Sequence, residues 1–133
     1  MSALVLASVM ADLAAAVQAV LASGRVAHSR PAEGVREGDA VVGYPQEPID
    51  LTVTFRRGLD RLTVPVYVLC GMPQDATTQT AISGWLASGS VVEAIQGYAG
   101  TWSSVFVTAQ IEEFTPIGGS PLVALRFDCD IVS

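Results

Sequence analysis

Four segments of the chain alternate between apolar and polar residues, and this period of two constrains the fold more than any other sequence feature. The segments cover residues 49–55, 62–70, 105–112 and 122–131. Successive side chains of a β-strand point to opposite faces, so the alternation predicts strands with one face in a core. A turn at residues 57–60 joins the first two segments, which we predict to form a long antiparallel β-hairpin arm.

Three other segments have the spacing of α-helices. Between residues 2 and 23 the apolar positions recur every three or four residues, which predicts an amphipathic N-terminal helix. Its apolar stripe consists of Leu6, Met10, Leu13, Val17 and Val20. Residues 75–87 show helical spacing again, with Thr78, Ile82, Trp85 and Leu86 as its apolar or small positions. Ser90 and Glu93 match a capping box, which predicts the start of a further short helix.

The order of these elements indicates the fold class. A loop at residues 29–39 and a short strand at 40–43 follow the first helix, and two helices separate the earlier strands from the last two. Runs of strands separated from runs of helices predict an α+β fold with a mostly antiparallel sheet, in one domain spanning residues 1–133. We expect the N-terminal helix and the two-helix insertion to cover one sheet face. The other face, with Thr, Arg and acidic residues, is then exposed to water or paired with a partner.

The composition suggests a subunit of an assembly. Half of the 133 residues are hydrophobic, only 15% are charged, and the mean hydropathy is +0.46. A domain of this size hides only about two thirds of the surface of its unfolded chain. We therefore expect the surplus apolar surface to be covered by other copies or other proteins.

The charge balance disfavours two classes of partner. Seven Arg against 13 Asp and Glu give a net charge of -6. Tight duplex binding requires a basic face, and an anionic membrane surface attracts basic segments, so neither is expected. The N-terminal segment is not predicted to span a membrane or act as a leader, because Asp12 lies at its centre and no basic region precedes it.

Residues suited to catalysis are few. His28 is the sole histidine and lies in a polar segment, and we interpret it as a loop residue and not as a general base. Cys70 and Cys129 lie in apolar runs and are predicted to be buried thiols in a reducing compartment. Asp128 and Asp130 share a strand face with Arg126, which favours a charge ladder over an acid–base dyad or cation site. We predict no enzymatic activity, no metal and no cofactor.

A cluster of charges marks the predicted hairpin tip. Arg56, Arg57, Asp60 and Arg61 bring three of the seven arginines to one turn of an acidic chain. One interpretation is an arm whose guanidinium groups bind carboxylates of an adjacent subunit. The other is a solvated turn, and the sequence leaves both open.

Several stretches together resemble a known group of proteins. These are residues 49–55, the turn at 57–61, the strand at 65–71 and the helix start at 89–95. In this order, after an N-terminal helix, they resemble the tail-terminator (tail-completion) proteins of long-tailed phages, especially those of actinobacterial hosts. The resemblance covers roughly residues 45 to 133.

The resemblance implies a structural virion protein. Members of that family form a hexameric ring that caps the tail tube, stops its polymerisation and joins it to the head–tail connector. The implied partners are copies of the chain, the tail-tube protein and the connector protein, at the tail–head junction of particles assembled in the host cytoplasm. DNA would cross the ring without specific binding, and Glu112, Asp128 and Asp130 are our candidates for an acidic lumen that repels phosphate.

Other functions stay open at this point. The chain is alternatively another ring of the phage neck or tail, such as a head-closure or tail-tube protein. A small hydrolase that uses His28, and a monomeric binding module, are interpretations from different classes.

Overall fold

The computed structural model describes residues 5–31, 34–46, 61–100, 102 and 104–132. Within these ranges the chain forms three helices and a five-stranded sheet, which confirms the predicted α+β class. In chain order the elements are α1 (Leu6–Gln18), β1 (Ala27–His28), β2 (Ala40–Val42), β3 (Arg61–Gly71), α2 (Ala76–Ser88), α3 (Ser90–Gly97), β4 (Ser104–Phe114) and β5 (Leu122–Val132). The first arm and turn of the predicted hairpin, at residues 49–60, lie outside the described residues.

The sheet has the strand order β1-β2-β3-β5-β4. All described pairings are antiparallel except the short parallel contact between β1 and β2. The last strand, β5, lies between β3 and β4, and it pairs with both along most of its length. This arrangement places β4 at one edge of the described sheet.

The helices cover one face of the sheet. The predicted apolar stripe of α1 is confirmed, since Met10, Leu13 and Val17 are buried against the core. That core is formed by the inward residues of β3 and β5, among them Val64, Val66 and Ile131. Burial of branched apolar side chains on both elements is what attaches α1 to the sheet.

The two short helices differ from their sequence-based description in detail. Thr78 is the buried residue of α2, whereas Leu86, expected on the same apolar face, is 53% exposed. The capping box is not formed: Ser90 is the first residue of α3, and the preceding Gly89 is the N-cap with a left-handed φ of 61°. Gly89 ends α2 and starts α3, so the chain turns there without a side-chain cap.

The second sheet face is partly covered by the chain itself. Tyr67, Leu69 and Ala124 form a small buried cluster on this face, and Val35 of the loop before β2 packs against it. The expectation that this whole face is exposed or paired with a partner was therefore wrong at this end. The loop carries an apolar side chain that local periodicity does not reveal.

Candidate functional site

The charged residues predicted to share a strand face do lie together. Antiparallel pairing aligns β3, β5 and β4 so that their outward side chains form rows across the sheet. We call the exposed part of this surface the charged face; it consists of Arg61, Glu112, Arg126, Asp128 and Asp130.

Arg126 is the centre of the charged face. Its Nε donates to Oδ1 of Asp128 at 2.8 Å, and one Nη donates to Oε2 of Glu112 at 3.0 Å. The same Nη donates to Oε1 of Gln46 at 3.3 Å, and Gln46 donates in turn to the hydroxyl of Tyr67 at 3.0 Å. The Arg126 side chain is only 13% exposed. The bond with Asp128, more than any other contact, raises the pKa of Arg126.

Arg61 forms a separate and more exposed pair. Its Nε donates to Oδ1 of Asp130 at 3.0 Å, and its side chain is 68% exposed. The hydrogen bond with Asp130 raises the pKa of Arg61. Arg61 is thus engaged within its own chain, whereas Arg56, Arg57 and Asp60 of the predicted tip lie outside the described residues.

The geometry supports a charge ladder on the charged face. Each of the three candidate lumen acids, Glu112, Asp128 and Asp130, accepts a hydrogen bond from an arginine. Two guanidinium groups also offset most of the charge of three carboxylates, so this face is less acidic than its sequence indicates.

Gln46 is the member of this site that sequence reasoning missed. It follows β2 in an irregular segment and reaches Arg126 across 80 positions of the chain. No periodic pattern or motif marks such a residue, because its role arises only when the strands are aligned.

His28 was predicted to lie in a loop, but the structure places it in β1, paired with Val41 of β2 and beside a buried carboxylate. Oδ2 of Asp39 is 3.6 Å from Nε2 of His28, too long for a hydrogen bond, and that nitrogen is buried without another partner. Asp39 accepts the N–H of Val26 at its Oδ1 and that of Arg36 at its Oδ2, each at 3.0 Å.

These contacts give Asp39 a clear structural role. Burial by itself would raise the pKa of Asp39, but the two amide hydrogen bonds and the nearby His28 outweigh it and lower the pKa. The carboxylate thereby joins the residue before β1, Val26, to the segment before β2, at Arg36. Asp39 therefore stabilises the fold locally.

A cavity of about 200 Å³ lies next to residues that follow His28 in sequence, but His28 is not among its described lining residues. The lining residues are Leu6, Ala7, Met10, Ser29, Arg30 and Tyr44.

The cysteines are placed as predicted. Cys70 and Cys129 are both buried and unbridged. Burial raises the pKa of the Cys129 thiol to about 12, so the reactive thiolate is scarce at neutral pH. Among the residues that the structure describes, no three His, Cys, Asp or Glu side chains are grouped so that they could hold a metal ion.

Large apolar side chains remain exposed on the surface. Over the described ranges, those at least 36% exposed are Val5, Val26, Tyr44, Met72, Leu86, Phe106, Ile111, Ile117 and Val132. The two most exposed, Phe106 at 67% and Ile111 at 60%, lie on opposite faces of the edge strand β4. Exposed apolar side chains are therefore present at the surface, and two of these nine lie on β4.

No helix in the described part of the chain has the length and apolar character needed to cross a membrane. Comparisons with family models, with curated proteins and with solved structures found no match to this chain.

Proposed function

We propose that this chain is a structural subunit of a phage tail, forming a hexameric ring that caps the tail tube and joins it to the head–tail connector. The observation that carries the proposal is the set of large apolar side chains left on the surface of a small domain, with Phe106 and Ile111 the most exposed. Neighbouring copies or the adjacent rings of a particle would cover such a surface.

The charge distribution supports passage of DNA without binding. The chain has a net charge of -6, and the arginines of the charged face are neutralised by adjacent carboxylates. A channel lined by the charged face would present only these paired arginines to phosphate among the residues described there. Glu112, Asp128 and Asp130 remain the candidates for its lining.

The location in the particle is the direct test of this function. In particles of the phage that encodes the chain, antibodies against it should label the tail–head junction. Labelling along the tube would instead indicate a tube protein, and labelling at the connector a head-closure ring. Absence of the chain from purified particles would refute a structural role.

The contact between ring neighbours is tested with a pair of arginine variants. We expect Arg57→Ala to reduce ring assembly on tail tubes, because the proposed tip docks on carboxylates of the next subunit. Arg61→Ala is the matched control, since Arg61 already pairs with Asp130 of its own chain. Equal assembly of Arg57→Ala and wild type, seen by electron microscopy, would mean that the tip is only a solvated turn.

A further inference from the structure

Among the described residues, no strand pairs with the outer edge of β4. On β3, both backbone groups of Leu69 bond toward β2: its carbonyl accepts from the N–H of Gly38, and its N–H donates to the carbonyl of Asp39. The backbone N–H and carbonyl groups of the odd-numbered residues of β3 therefore point toward β2. Even-numbered residues of β3 therefore point toward β5. Even-numbered residues of β3 pair with odd-numbered residues of β5, so the backbone groups of the even-numbered residues of β5 point toward β4. These pair with even-numbered residues of β4, so the backbone N–H and carbonyl groups of its odd-numbered residues point away from the sheet. They belong to Val105, Val107, Ala109, Ile111 and Glu113.

This edge has few of the features that usually protect an edge strand. β4 is 11 residues long and pairs with β5 without a register shift. It contains neither Pro nor Lys, and its two charged residues, Glu112 and Glu113, are both near one end. Long, regular and apolar edges readily accept another strand.

We propose that β4 pairs antiparallel with β4 of a second copy about a two-fold axis at Ala109. The two edges of the described sheet are β1 and β4, and β1 has only two residues, so β4 is the only described edge strand long enough to pair along the whole of another β4. In this register, every outward backbone group listed above faces an outward group of the partner. The two sheets then join into one continuous sheet.

The side chains are complementary in the same register. Val107 lies opposite Ile111 of the other copy. This contact would cover Ile111, which is 60% exposed in the single chain. Glu112 faces Phe106 of the other copy and Glu113 faces Val105, so no carboxylate lies opposite another. A parallel pairing in register would place each glutamate against its own counterpart, which is unfavourable.

The second exposed apolar residue of the edge is also covered. Phe106 lies diagonally across from Phe114 of the other copy, at a spacing that aromatic side chains can bridge. In a single chain Phe114 already packs on Tyr67, with ring centroids 4.9 Å apart. The pairing would extend this aromatic contact across the two-fold axis.

This dimer is distinct from the proposed ring. A two-fold contact closes with two copies, whereas neighbours in a ring meet through two different surfaces. The dimer concerns the free chain and covers Phe106 and Ile111, which also carry the ring proposal, so the two copies must separate before ring neighbours can cover these residues. A chain that stays at one chain mass would refute the dimer and leave the ring proposal standing, whereas a dimeric chain that is absent from particles would refute the ring alone.

Sedimentation of the purified full chain tests the dimer. With increasing concentration, wild type should reach twice the chain mass of 13.9 kDa. Ala109→Pro should stay at one chain mass, because its nitrogen faces the open edge and is not needed within its own sheet. Ile111→Lys, at a position exposed in the single chain, should weaken dimerisation at least tenfold without affecting the fold.

Cross-linking tests the register. Residues paired at hydrogen-bonded positions lie about 5.5 Å apart at Cα, within the range of a disulfide. Ala109→Cys should therefore form a disulfide-linked dimer under mild oxidation, whereas the control Thr108→Cys, one residue from the axis and on the other face, should not. Wild type that stays at one chain mass, an assembly unchanged by Ile111→Lys, or equal cross-linking of both cysteine variants would overturn the proposal.

Discussion

Arg126 illustrates how a single side chain organises the charged face. It joins three acceptors contributed by β4, β5 and the segment after β2. Removal of Arg126 would leave Glu112 and Asp128, which lie on either side of it in the register, without their counter-ion. Removing one member of a largely buried ion pair lowers the free energy of unfolding by more than the intact pair contributes to it, because the remaining charges are left without a partner.

We expect Arg126→Met to lower the free energy of unfolding by about 1–3 kcal/mol. Arg61→Ala is the matched control, since it removes an exposed arginine–aspartate pair from the same face, and such pairs contribute little. Urea unfolding of both variants gives the comparison. Equal midpoints for the two variants would contradict the central role of Arg126.

Asp39 makes stability depend on pH at the acidic end. Its pKa in the folded chain is lowered from the usual 3.8, so the folded state favours the carboxylate. This contribution is fully present above the unfolded pKa and is lost as pH falls through the lower, folded pKa. Asp39 is 2% exposed, so protonation would leave its amide donors with a weaker acceptor.

The Asp39→Asn variant should reveal this dependence. At pH 7 we expect it to be less stable by about 1–3 kcal/mol, because an amide cannot accept from the N–H groups of Val26 and Arg36 on both of its ends. The difference from wild type should shrink as pH is lowered below about 4. A difference measured by urea unfolding that is constant from pH 7 to pH 3 would exclude this role.

At the scale of elements, the junction of β3 and α2 depends on one glycine. Gly71 ends β3 with a φ of 144°, in a region that side chains rarely adopt. A Cβ there would lie 2.5 Å from Oγ1 of Thr78, whose hydroxyl donates to the carbonyl of Met72. Backbone conformation and close packing therefore both require glycine at this position.

A pair of glycine variants tests this junction. Gly71→Ala should destabilise the fold by about 1–3 kcal/mol through backbone strain alone. Gly84→Ala should instead stabilise it by about 0.5–1 kcal/mol, because Gly84 lies within α2 and a Cβ there meets open space. Thermal unfolding measures both changes, and a loss of stability in Gly84→Ala as large as that in Gly71→Ala would refute the distinction.

At the scale of the whole molecule, the proposed acidic lumen needs a test that keeps the ion pairs of the charged face. Reversing Asp128 and Asp130 to arginine, the change that the sequence suggests, would also leave Arg126 and Arg61 beside new positive charges. Thr108 and Ser104 are exposed and lie on the same face, opposite Asp128 and Val132. Arginine at both positions adds positive charge without removing an acidic partner.

If this face lines the channel, the Thr108→Arg, Ser104→Arg variant should slow DNA ejection roughly tenfold, since the added charges attract phosphate. The control replaces the same two residues with glutamine. Ejection rates followed by DNA release from purified particles should separate the two variants. Ejection as fast as in the glutamine control, with rings still present, would place the lining elsewhere.

The sequence by itself determined the local structure of α1 and of the three long strands. The strands β3, β4 and β5 and the stripe of α1 follow from periods of two and of about 3.6, which depend only on neighbouring residues. The grouping of Arg126, Asp128 and Asp130 on one face follows for the same reason. These features require no knowledge of which strand lies beside which.

The tertiary structure decided which elements are neighbours. Alternation is the same in a central strand and in an edge strand, so only the assembled sheet shows that β5 is central and that β4 exposes Phe106 and Ile111. The contacts of Arg126 with Gln46 and of Asp39 with His28 likewise join distant parts of the chain. Such contacts depend on the order of the strands and on how the loops pack. Both depend on residues far apart in the sequence, so the periodicity of a short segment does not predict them.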